Sequence, residues 1–140
     1  MVTIHTTYDG ELRCSSTHGP SGRELATDAP VDNHGRGESF SPTDLVATAV
    51  GSCMLTVMGI RAEREGWDLT GSRAEVVKHM STDLPRRIAR VEVKLEMAGS
   101  HDDAARATLE ATARGCPVVR SLDPALEVVL TFHWAQAVRD

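Results

Sequence analysis

Aromatic side chains are scarce in this sequence of 140 residues: two Phe, two Trp and one Tyr, 4% of the chain. The core must therefore be aliphatic, drawn from the 41% of residues that are hydrophobic. Positive charge is also short. Fifteen Lys and Arg against twenty Asp and Glu leave a net charge of −5, without the basic face that binding to nucleic-acid phosphates needs. No apolar run approaches the roughly 20 residues that span a bilayer. Met1 to Gly10 has no basic stretch leading into an apolar one, so a secretory leader is not expected. Cysteines number only three. An odd count without a leader points to a reducing, cytoplasmic setting rather than to a framework of structural disulfides. The chain has no CxxC, no HxxxH, no glycine-rich phosphate loop and no nucleophile elbow. A metal site is not expected, and no cofactor is implied.

What is present reads as one domain over 1–140 of the α+β class. Val2 to Tyr8 suits a strand, Asp9-Gly10 a hairpin turn, Glu11 to Ser16 the returning strand and Arg23 to Thr27 a short third one. Asp28 to Ser39 is polar, with Pro30, Gly35 and Gly37, and reads as a long surface loop of the kind that is often functional. Ser41-Pro42-Thr43-Asp44 then supplies an N-cap serine, a proline at the first helical position and an acid at the third. This predicts a helix to about Glu65, closed by Gly66. It carries no charge from Leu45 to Ile60, as a helix buried on most sides would. Its interior glycines, Gly51 and Gly59, each cost about 1 kcal/mol relative to alanine, and close approach of another backbone is the usual compensation. Two strands, Leu69 to His79 and Ile88 to Met97, follow. Then come an alanine-rich helix over 102–115, a short helix after Pro117 and a closing strand over 125–134. A charge-free helix is hard to cover within one chain of this size, and a homodimer that sandwiches it is the simpler arrangement.

Four residue types call for a chemical reading. Cys53 lies midway along the long helix, where a free cysteine is ordinarily core packing. Cys116 stands at a helix junction, Gly115-Cys116-Pro117, where unpaired N–H groups and the helix dipole would favour thiolate. Cys14 and His18, four residues apart on a strand, are roughly 13 Å apart, too far to share a metal. Arg13, Arg23 and Arg36 are the cations of the N-terminal third, and any one of them is ordinarily solvated surface. Asp44 is ordinarily a capping acid.

The run Phe40-Ser41-Pro42-Thr43-Asp44 through Gly51-Ser52-Cys53, followed much later by Gly115-Cys116-Pro117, resembles the OsmC/Ohr family along essentially the whole chain. The resemblance implies an OsmC-like α+β fold. N-terminal antiparallel strands, a long cysteine-bearing helix, central strands, a second helix and a closing strand would form an intertwined homodimer. It also implies a thiol-dependent hydroperoxide reductase: Cys53 would attack the peroxide, Cys116 would resolve the sulfenic acid as a disulfide, and a dithiol, often lipoyl-linked, would restore both thiols. Neither metal, haem nor flavin is involved. In the family an arginine from the N-terminal hairpin favours the thiolate and is oriented by a glutamate directly after the Ser-Pro pair. Arg13 is the best match for the arginine, with Arg23 the other. The glutamate position here is Thr43, and the acid comes one place later at Asp44. One step along a helix turns a side chain by about 100°, which leaves Asp44 either an orienting acid or only a cap. The aliphatic neighbours Val50, Met54 and Val57 favour a small apolar hydroperoxide. Two other readings stand beside this one: a thiol sensor or small-electrophile binder without turnover, supported by Thr43, and a structural dimerisation module with Cys53 as core packing.

Overall fold

The structure, a computed structural model, describes residues 1–135. Its compact units are two, Met1–Val46 and Ala47–Asp140.

The first unit is a three-stranded antiparallel meander, β1 (Ile4–Gly10), β2 (Arg13–His18) and β3 (Glu24–Asp28). The β1/β2 turn is Glu11-Leu12, not Asp9-Gly10. Both turn residues take positive φ (52° and 63°), the twist that a two-residue hairpin requires. Gly10, also at positive φ, pairs with Arg13 across a register shift. The β2/β3 turn falls at His18 to Gly22 as its Gly and Pro predict, and the register it sets places Arg13 directly opposite Asp28. Beyond β3 the chain folds back on itself instead of wandering: Gly37 N donates to Ala29 O (3.1 Å) and Asp28 N to Phe40 O (3.1 Å). A Cβ on Gly35 would stand 1.7 Å from Ala29 O, so only glycine permits the fold-back. Little is buried in this unit beyond Thr27, Asp28 and Ser41; Ile4, Tyr8 and Leu25 remain exposed.

Helix α1 (Pro42–Glu65) starts in the first unit and runs on through the second. Its entry is a reciprocal capping box: Ser41 Oγ accepts from Asp44 N (3.1 Å), and Asp44 Oδ2 accepts from Ser41 N (2.9 Å). By length and composition alone α1 could cross a membrane, which the reading of short apolar runs did not anticipate. One stripe of it, Val50, Met54, Met58 and Ala62, is buried in the hydrophobic core of the second unit. The rest of that unit is β4 (Arg73–Met80), β5 (Ile88–Met97), α2 (Asp103–Arg114), α3 (Pro117–Arg120) and β6 (Glu127–Trp134). The sheet order is β4-β5-β6, with β4/β5 antiparallel and β5/β6 parallel. The parallel pair follows from α2 and α3 lying between its strands, since a crossover is what returns a chain to the same direction. Strand β4 starts later than the sequence suggests. Gly71, at φ 90°, and a Ser72 N to Leu69 O bond make a turn of the residues before Arg73. Strand β5 alternates as expected, with Val91, Val93, Leu95 and Met97 buried and the charged residues between them paired across the outer face.

The two helix glycines differ in what they meet. At Gly51 the close neighbour is a side chain, not the expected backbone: an added Cβ would lie 2.6 Å from Val76 Cγ2. At Gly59 an added Cβ would meet nothing within 4 Å.

Candidate active site

The second unit holds the thiol pair. Cys53 sits on α1 one residue before the buried Met54, at the edge of the core stripe, and is half-buried. Cys116 is fully buried. It is held where Gly115 ends α2 and Pro117 starts α3, with its own N donating to Ala113 O (3.2 Å) and its carbonyl accepting from Arg120 N (3.1 Å). Both cysteines are free thiols, and Cys53 acts on the Cys116 thiol as a near neighbour. Burial is the main cause that pushes the Cys116 thiol above its ordinary range, with the neighbouring Cys53 thiol next. The backbone N–H groups of Val119 and Val118 act in the opposite sense, as the Cys-Pro junction predicted, but are outweighed. The expectation that this junction favours thiolate is thus corrected: desolvation wins. Of the aliphatic neighbours named from sequence, Val50 and Met54 are turned wholly into the core, and Val57 alone is partly open.

The first unit holds the arginine. The Arg13 guanidinium bonds Glu38 through Nη2, and Asp28 Oδ2 lies 3.6 Å from the same nitrogen. Asp28 is 1% exposed, and its Oδ2 also accepts from Glu38 N (3.0 Å). Arg13 is held above its ordinary value, first by the hydrogen bond and charge of Glu38; partial burial acts against this, and Asp28 and Glu11 add to it. Arg23 stands at the other end of the sheet, in the β2/β3 turn, where its N–H donates to Ser21 Oγ (3.3 Å). Five strand residues separate the two ends, about 17 Å of rise. Asp44 completes the capping box described above, with Thr43 hydroxyl 3.2 Å from Ser41 Oγ. Cys14 lies on the opposite face of the sheet from Arg13, paired with Tyr8 and Thr27.

Sequence reasoning did not single out Glu38 or Asp28. Asp28 was recoverable in principle, since counting back from the His18 to Gly22 turn sets it opposite Arg13. Glu38 had no such signal, because loop closure rather than strand register delivers it. Among the described residues, no group of three or more His, Cys, Asp or Glu side chains is disposed to hold a metal.

The family of OsmC-like proteins matches residues 35–131. Among solved structures, a Psychrobacter arcticus protein, provisionally assigned to osmotic stress induction and detoxification response, is 44% identical to this chain. The match covers 95% of this chain and 96% of that one with a TM-score of 0.90. An organic hydroperoxide resistance protein OsmC from Legionella pneumophila shares the fold at 16% identity (TM-score 0.75, 94% and 96% covered). So does an organic hydroperoxide resistance protein from Elizabethkingia anophelis at 15% identity (TM-score 0.76, 96% of each chain), crystallised with thiocyanate bound. No curated protein matches the sequence.

Proposed function

Starting from the fact that this chain belongs to the OsmC family, we propose that it reduces organic hydroperoxides, with Cys53 as the attacking thiol and Cys116 as the resolving one. The observation that carries this is a pair of neighbouring free thiols, Cys53 half-buried and Cys116 sealed, in which Cys53 acts on Cys116. An attacking sulfur must meet substrate, whereas a resolving sulfur must meet only its partner. Cys53 thiolate attacks the outer peroxide oxygen, the O–O bond breaks, and the alkoxide leaves and takes a proton as the alcohol. Cys53 is then the sulfenic acid. The Cys116 sulfur displaces hydroxide from it, and disulfide and water result. Reduction by a dithiol, by exchange through a mixed disulfide, returns two thiols. In this reading Arg13 is the cation that favours the Cys53 thiolate, since an apolar setting alone disfavours it. Asp44 fixes the start of the helix that carries Cys53. The substrate class is a small organic hydroperoxide. The reductant is a dithiol, with a lipoyl-linked one the first to try.

A homodimer and a cytoplasmic setting belong to the same proposal. The exposed Ile4, Tyr8 and Leu25 on one side of the first sheet, at 62%, 64% and 47% exposure, support a partner copy.

The test is consumption of cumene hydroperoxide by purified protein with dihydrolipoamide or dithiothreitol, wild type beside Cys53→Ser. Turnover in wild type and none in the variant is expected. The specific observation favouring a thiol sensor instead is Thr43 where the family has its glutamate. That reading predicts one round of oxidation, with loss of the Cys53 and Cys116 thiols and a mass decrease of about 2 Da, and no turnover.

A further inference from the structure

We propose that Glu38 and Asp28 are the positioning residues of Arg13, filling from the loop and from the neighbouring strand the place that the resemblance gives to a glutamate at the helix start. The inference rests on the hydroperoxide reading above. At the helix start the position in question is Thr43, and the nearby acid, Asp44, has an oxygen committed to Ser41 N. Two other carboxylates meet the guanidinium instead. Glu38 accepts from Arg13 Nη2, and Asp28 faces the same nitrogen at 3.6 Å from the strand position directly opposite. The two are coupled, because the Asp28 oxygen that faces Arg13 also accepts from Glu38 N at 3.0 Å. One buried carboxylate therefore ties down both the arginine and the backbone that presents its second partner. The charge-assisted bond to Glu38 and the ion pair with Asp28 converge on one guanidinium nitrogen and hold that end of the side chain, so the remaining N–H groups keep a constant direction.

The arrangement is costly as mere packing. Arg13 Nε and Asp28 Oδ1 are buried and have no hydrogen-bond partner among the described residues. Such orphaned groups destabilise a fold, and natural proteins carry broken packing rules at functional or strained sites. The other charges near Arg13 are Glu11 and, 3.6 Å from Glu11, Arg36. Glu38 partly offsets the arginine's charge, so the gain it brings is in direction rather than in net charge.

The experiment follows Cys53 in protein carrying Cys14→Ser and Cys116→Ser, by its rate of alkylation with iodoacetamide across pH. In the otherwise native chain, kcat/KM for cumene hydroperoxide is followed over the same range. Glu38→Ala is expected to move the alkylation midpoint to higher pH and to lower kcat/KM about tenfold, the share of one charge-assisted bond. Glu38→Gln, which keeps an acceptor, should do less. Neither should have any effect when Arg13→Met is already present. A shift to lower pH would overturn the proposal, since Glu38 would then act as a charge opposing the thiolate. Equal losses with and without Arg13→Met would also overturn it, since Glu38 would then only brace the loop. The Glu38 side chain is 56% exposed, so these variants fold even if Asp28→Asn does not. Absence of wild-type turnover would sink the hydroperoxide reading alone; the alkylation midpoint would still decide Glu38.

Discussion

The same substitution at two points of one helix should have opposite signs. Gly51 and Gly59 both lie inside α1, and alanine at either gains about 1 kcal/mol of helix propensity. At Gly59 nothing opposes the gain, because a new Cβ meets no atom within 4 Å. At Gly51 the Cβ would stand 2.6 Å from Val76 Cγ2 and 3.4 Å from Ala74 Cβ. Ordinary carbon contacts begin near 3.5 Å, so the overlap with Val76 approaches 1 Å. Val76 is β-branched and stiff at χ1, and it is partly buried against the core. It cannot simply rotate away, so the helix and β4 must separate. Overpacking of this kind costs about 1–3 kcal/mol, which exceeds the propensity gain. Gly51→Ala should therefore lose about 1 kcal/mol net and Gly59→Ala gain about 1, a gap of about 2 kcal/mol between identical changes. Urea unfolding followed by circular dichroism reads both, provided the slopes match wild type. A Gly51→Ala protein as stable as wild type would refute the claim that Val76 makes glycine necessary there. A destabilised Gly59→Ala would refute the claim that its surroundings are open, and would place another surface against it.

Three further outcomes follow from the geometry. Ser41→Ala should lower stability by about 1 kcal/mol, because it removes the acceptor for Asp44 N at a buried helix start; an unchanged urea midpoint would mean the box is idle. Burial holds the Cys116 thiol above its ordinary value of about 8.5, so the folded chain keeps a proton that the unfolded chain gives up. That contribution is whole below about pH 8.5 and is lost as pH rises through the folded value, so wild type should lose more stability in alkali than Cys116→Ala does. Equal losses in the two proteins would contradict it. His101 lies edge-on between Trp67 and Trp134, at centroid distances of 6.2 and 5.8 Å. With each such contact contributing about 0.5–1.5 kcal/mol, His101→Ala should lose about 2 kcal/mol in the same urea assay; a loss below about 0.5 kcal/mol would show that the rings are neighbours without being partners.

Much of this fold is written locally, and that part was legible. The cap at Ser41, the proline after it and Gly66 at the end define α1 through bonds that span only a few residues. The alternation in β5 reflects one buried face, and the β2/β3 turn advertises itself with Gly and Pro. The β1/β2 turn was misplaced by two residues because Asp9-Gly10 is the stronger hairpin signal. In the structure Gly10 spends its positive φ on a register shift, and Glu11 and Leu12 adopt the left-handed conformation despite their side chains. The parallel β5/β6 pair could not be read from either strand, because direction is fixed by the crossover between them.

The candidate site divides along the same line. Cys53 and Cys116 stand out in the sequence through local features, the helix motif and the Gly115-Cys116-Pro117 junction; they become neighbours once both pack in one core. The partners of Arg13 were not found. A surface loop costs little more in closure entropy when it is longer, so the sequence between Asp28 and Ser41 gives no hint of which residue returns to the sheet. The nearest thing to a signal is glycine. Gly35 is where the chain passes so close to Ala29 that no side chain fits, and two residues later Gly37 N bonds the same carbonyl. That contact sets the next residue, Glu38, beside Asp28 and hence beside Arg13. A glycine that reads in the sequence as loop punctuation is therefore, in three dimensions, the hinge that delivers a carboxylate to the arginine.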